Sequence, residues 1–180
     1  MLEVFYAGTA GLDETRARVP GRSGRPGSAF AVSLLAHAVQ QVCGLSLPAM
    51  AEDARGKPYF PELPELRFSY AHTGGLVLCA LSDEEVGADA ERRRPLRAGT
   101  ASRFTGAESL TELDFFEAWT LMESAVKWGF RGNLLRFAPE AAAGLHYRHY
   151  ALLGCAACVC SERRVPPEDA VGVDPGAICT

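Results

Sequence analysis

No stretch of this 180-residue chain approaches the roughly 18 to 20 consecutive apolar residues that a membrane helix needs. Its start, MLEVFYAGTAGLDE, lacks the basic segment and long apolar run of a secretion signal. A cytoplasmic protein with no membrane partner is expected. Excess charge is also missing: 18 Lys and Arg against 22 Asp and Glu leave a formal net charge of -4, so no global field draws the chain to nucleic acid. A disulfide framework is absent too. Cys155, Cys158 and Cys160 crowd into GCAACVCSE, while Cys43, Cys79 and Cys179 stand apart. Cys155-x-x-Cys158 matches one half of a zinc site, but no second pair follows, and His146 and His149 precede it. The stretch LLGCAACVC reads better as a buried strand that uses cysteine as a small hydrophobe.

What is present is ordinary globular material, 48% hydrophobic and 22% charged, in a chain long enough to bury a core. LEVFYAG reads as a strand. After the polar loop GRSGRPGS, the apolar period of residues 28–43 predicts a helix, with Ser28 as its N-cap and Gly44 as its stop. Strands are expected at 66–70 and 76–81, broken by Thr73-Gly74-Gly75. Ser82-Asp83-Glu84-Glu85 is turn chemistry, which makes 86–91 the return strand of a hairpin. A helical stretch near 99–110 and a stronger helix at 113–128, stopped by Gly129, come next. Short strands follow around Phe137, at 145–150 and at 152–160, and the Pro/Gly-rich tail is expected to be mobile. The fold class is α+β, with two lobes at 1–91 and 92–180, each a long helix against a small antiparallel sheet.

Several residues offer chemistry, each beside a plainer role. Asp89 and Glu91, two apart on one strand, point to the same side. They fit either a solvated strand face or oxygen ligands for a hard cation such as Mg²⁺. On the second helix Phe115, Trp119, Met122 and Val126 form the apolar stripe, flanked by Glu123 and Lys127. That pair is a surface i,i+4 ion pair, or an acid and an amine facing a metal and a phosphate. His72, beside a glycine turn, is structural or a phosphate contact. Lys57, on a Pro-containing turn, carries the same ambiguity.

The order of these features is specific. GKPYF, FSYAHTGG, VGADAE and WTLMESAVKWGFRG, in this order, resemble the GKP, F-x-x-S-H-S, G-x-D-x-E and W-x-x-K-E-A-x-x-K motifs of the phosphopantetheinyl transferase superfamily, across roughly residues 25 to 160. The resemblance implies a two-lobed, pseudo-twofold α+β fold of the Sfp-like kind. The activity it implies is Mg²⁺-dependent transfer of 4′-phosphopantetheine from coenzyme A to a serine of an acyl or peptidyl carrier protein, by a monomer with its site between the lobes. Asp89, Glu91 and Glu123 would correspond to the metal acids, Glu123 also to the base acting on the acceptor serine, and Lys127 to a diphosphate contact. Lys57, His72 and Thr73 would correspond to the coenzyme A side, with Arg25 or Arg22 as a basic position before the first helix. Three departures from the motifs stand out: Met122 is where the helix motif has its first lysine, Ala71 where a serine precedes the histidine, and the alanines inside GADAE where larger apolar residues are usual. They leave open a chain that binds coenzyme A or a carrier without transfer. The arginines at 92, 93, 94, 97 and 103 make a local basic cluster suited to an acidic carrier or to a solvated loop.

Overall fold

The computed structural model describes residues 1–19, 27–96, 112–131, 142 and 144–179, with the backbone alone for 112–114. In chain order the elements are β1 (Leu2–Gly8), α1 (Ser28–Cys43), β2 (Ala51–Glu52), β3 (Pro58–Tyr59), β4 (Arg67–Thr73), β5 (Leu76–Ser82), β6 (Val86–Arg92), α2 (Glu112–Trp128), β7 (His146–Leu152), β8 (Cys155–Ser161) and β9 (Val171–Gly172). The fold is mixed α and β, as expected. It has a four-stranded sheet ordered β4-β5-β1-β9, a three-stranded sheet ordered β6-β8-β7 and a small β2-β3 ribbon. Every strand pair is antiparallel except β1-β9.

The two-residue alternation of strands explains the layering. On β5, Val77, Cys79 and Leu81 pack with Phe30, Leu34 and Leu35 of α1, while Leu76, Leu78 and Ala80 pack with Val86, Ala88 and Val159 of the second sheet. All seven β5 residues are buried, as a strand covered on both faces must be. β8 repeats the pattern, sending Cys155, Ala157 and Val159 toward the first sheet and Ala156 and Cys158 toward α2. The order of layers is therefore α1, first sheet, second sheet, α2.

Cys155, Cys158 and Cys160 are free, buried β8 residues, in line with the small-hydrophobe reading. Burial pushes the Cys160 thiol up to about 11 and that of Cys79 up to about 12.

Three local expectations are corrected. The N-cap of α1 is Gly27 in the left-handed region (φ 87), and the backbone N–H of Ala29 donates to Glu14 Oε1 at 3.0 Å. A side chain distant in sequence thus does the capping that Ser28 was expected to do. Next, β6 is not the hairpin partner of β5: β4 is, and β6 pairs with β8. β6 instead lies against β4 through side-chain hydroxyls, with Ala88 N–H donating to Ser69 Oγ (2.9 Å) and Arg92 N–H to Thr73 Oγ1 (3.1 Å). Last, the tail is docked. β9 pairs with β1, the backbone of Cys179 bridges to Ala17, and Ile178 is fully buried in the α1 core. Burying Val173 and Ile178 offsets the entropy of ordering a Pro/Gly-rich segment. The expected helix near 99–110 and the strand around Phe137 lie outside the described residues.

α2 reaches unusually close to β6. A methyl group built on Gly87 would stand 1.8 Å from the carbonyl oxygen of Ser124. Backbone meets backbone there, and only glycine permits it. This contact sets β6 directly under the helix that carries Glu123 and Lys127.

Candidate functional site

The odd-numbered side chains of β6 face α2. Asp89 is buried, and its Oδ1 accepts from Lys127 Nζ at 2.8 Å, while its buried Oδ2 has no hydrogen-bond partner. The amine therefore crosses to the strand instead of closing the i,i+4 pair with Glu123. Burial raises the Asp89 pKa, and the opposing charges of Lys127 and His72 only moderate it. Burial also raises Glu91 and Glu123. The charge of Asp89 adds to both shifts, and that of Glu91 adds to the shift of Glu123. Arg94 sits 3.6 Å from Glu91 and tempers it.

Beside these acids lies a cleft of about 610 Å³. Lys57, His72, Asp89, Glu91 and Lys127 all line it, with Arg55, Tyr70 and Phe130. Segments more than thirty residues apart in sequence thus meet on one surface. Lys57 reaches it from the turn after β2, its Nζ donating to Glu85 Oε2 (2.6 Å) and to the Val86 carbonyl (3.0 Å). Burial lowers its pKa, although Glu85 opposes the shift. His72 sits where β4 ends, and Gly27 comes so close that a methyl group there would lie 3.2 Å from Nδ1. That approach brings the start of α1 to the cleft side of β4.

Not every expected residue joins them. Thr73 is not among the lining residues, because its hydroxyl ties β4 to β6. Glu123, half-buried one turn before Lys127, is electrostatically coupled to the two strand acids but does not line the cleft. Arg22, Arg25, Arg97 and Arg103 lie outside the described residues. Ala71 is buried, and Met122 packs with Leu121, Ala125 and Cys158 as the apolar stripe implies. The cleft also includes Arg55, which the motifs do not single out. Its signal in the sequence is Asp53, whose carboxylate folds the turn that presents it.

Whether this site suits Mg²⁺ turns on its donors. The orphaned Asp89 Oδ2 and the mutually raised acids are what a hard cation would satisfy. Among the described residues, no three His, Cys, Asp or Glu side chains stand gathered as a metal cage. Mg²⁺ needs only one or two protein carboxylates, since water and substrate phosphates complete its shell. The donor set fits.

Fold and site together define an α+β protein with a carboxylate- and amine-lined cleft among the β2–β3 turn, β4, β6 and α2. The chain is similar to 4′-phosphopantetheinyl transferase Sfp of Bacillus subtilis (strain 168), 30% identical over 87 residues that cover 43% of this chain and 39% of that protein. It is also similar to 4′-phosphopantetheinyl transferase psf-1 of Bacillus pumilus, 26% identical over 111 residues, covering 55% of this chain and 48% of the relative. The chain thus spans less than half the length of the curated relatives it matches. No family model matches it. The superfamily resemblance carried by the four motifs is borne out by these relatives.

Proposed function

We propose that this chain transfers 4′-phosphopantetheine from coenzyme A to a serine of an apo acyl or peptidyl carrier protein, with Mg²⁺. The observation that carries the reading is the cleft, which gathers Lys57, His72, Asp89, Glu91 and Lys127 from four separate motifs. The serine oxygen attacks the phosphorus next to pantetheine, the bond from that phosphorus to the bridging oxygen breaks, and adenosine 3′,5′-bisphosphate leaves. Asp89 and Glu91 line the cleft and would hold the metal, which would supply charge neutralisation at the diphosphate; Glu123, coupled to them but outside the lining, would be left for the proton transfer. Lys127, 2.8 Å from Asp89, would offset the charge that the leaving group gains. Glu123, whose pKa is raised by burial and by the charges of Asp89 and Glu91, would accept the serine proton. Lys57 and His72 would receive the phosphates of the nucleotide half, and Arg25 would approach from the loop before α1.

The layering supports a two-lobed reading, one helix and sheet on each side. Among the described residues β6 pairs with the C-terminal strand β8, so the boundary we propose falls in the turn at 83–85 instead of after 91. Thr73 leaves the proposed set, since its hydroxyl serves the β4–β6 seam. Two lobes within one chain, with cleft residues drawn from both, favour a monomer. No described helix is long and apolar enough to cross a membrane, and the cytoplasmic setting is part of the proposal. The test is incubation with coenzyme A, Mg²⁺ and a panel of apo carriers, reading carrier mass. Addition of one phosphopantetheine group supports the reading, and no addition to any carrier sinks it.

A further inference from the structure

The turn after β2 carries a cation that the reaction just described does not use. Asp53 Oδ1 accepts from the backbone N–H groups of Arg55 (2.8 Å) and Lys57 (2.9 Å), while its Oδ2 takes the Arg55 guanidinium at Nε (3.1 Å) and Nη2 (3.0 Å). Gly56, at φ 79, closes the turn by donating to the Asp53 carbonyl at 2.9 Å. One carboxylate therefore fixes both the loop and the guanidinium, and it sends Arg55 and Lys57 to the same wall of the cleft. Nη1, the nitrogen Asp53 does not hold, lies nearest the end of α2: a methyl group on Gly129 would be 3.1 Å from it. Arg55 thus spans the mouth of the cleft from turn to helix.

The cations on this surface differ in what they would give up to meet a ligand. Among the described lining residues, the Lys57 side chain is 17% exposed and committed to Glu85 and a backbone carbonyl. Lys127 is 34% exposed and neutralises the buried Asp89. Arg55 is 45% exposed, and its partner Asp53 is 32% exposed. Exchanging an exposed ion pair for another anion costs little, whereas withdrawing Lys127 uncovers a buried charge. The guanidinium also has five donors in a planar fork that matches phosphate.

We infer that Arg55 is a phosphate-contacting residue at the mouth of the cleft, gripping a phosphate of coenzyme A in addition to Lys57. This rests on the transferase reading, and the two can fail separately. Titration calorimetry with Mg²⁺ compares wild type, Arg55→Ala, Arg55→Gln and Arg55→Lys, each against coenzyme A and 3′-dephospho-coenzyme A. Arg55→Ala and Arg55→Gln are expected to weaken coenzyme A binding about tenfold, the loss of one charge-assisted contact, with Arg55→Lys recovering part of it. A weakening that disappears with the dephospho compound assigns the contact to the 3′-phosphate, and one that persists assigns it to the diphosphate. Wild-type affinity in the Ala and Gln variants overturns the inference. A wild-type protein that binds neither compound overturns the transferase reading instead.

Discussion

Asp89 is held by one partner and lacks another. Lys127 neutralises one of its oxygens, while the second is buried with nothing to accept from. Such a carboxylate costs stability, which the proposed role of Asp89 as a ligand would explain. Asp89→Asn and Glu123→Gln are each expected to lower phosphopantetheine transfer roughly a hundredfold or more while the protein stays folded, checked by carrier mass and thermal melting. Met122 behaves differently. On sequence alone a lysine there looks tolerable, since the motif has one, but Met122 is only 4% exposed and packs against Cys158. Met122→Lys is therefore expected to destabilise the protein by about 2–4 kcal/mol in urea unfolding, without speeding transfer. His149 supplies a pH handle. Its Nδ1 is buried without a partner, and burial lowers its pKa below the ordinary 6.5, with Glu117 opposing. A histidine with a depressed folded-state pKa contributes fully above its unfolded value and loses that contribution as pH falls from there through the folded value. The urea midpoint should therefore drop on going below about pH 6.5, and His149→Phe should flatten that drop.

At the scale of elements, local chemistry was legible where a single residue dictates the outcome. Gly44 and Gly129 end the two helices as the sequence indicates, both in left-handed or otherwise positive-φ backbone. The strand character of β5 and β8 was also readable, because each is a nearly unbroken run of apolar residues. The placement of β6 was not. Turn residues 82–85 suggest a hairpin, and nothing in the composition of 86–92 says that hydroxyls of Ser69 and Thr73 will replace the ladder. The site followed the same division. Residues within a motif could be assigned, whereas Arg55 depends on a carboxylate two positions away and on the distant end of α2. Gly87 is the sharpest element-level test. Gly87→Ala would drive a methyl group into the Ser124 carbonyl, so we expect loss of more than about 3 kcal/mol, or failure to accumulate folded protein, by circular dichroism.

Across the whole molecule, the C-terminal segment holds the first sheet from outside. The pairing of β9 with β1 and the burial of Ile178 beneath α1 make the tail part of the core. Ile178→Ala is expected to cost about 2–5 kcal/mol in urea unfolding, a loss that a mobile tail would not show. A Pro/Gly-rich composition hid this, because turns dominate its local signal while its few apolar residues supply the attachment. The α+β class could be read early, since two strong helices and several short strands admit few alternatives. The stacking of two sheets between the helices needed the three-dimensional contacts.

The Gly87–Ser124 contact also fixes a length. Where most strand-to-helix gaps are spaced by side chains, this one is spaced by main chain alone, so changes in nearby packing residues cannot widen or narrow it. The span from Asp89 to Lys127 is thereby gauged by the polypeptide itself. The rest of the core is free to vary around a ruler that has no adjustable part.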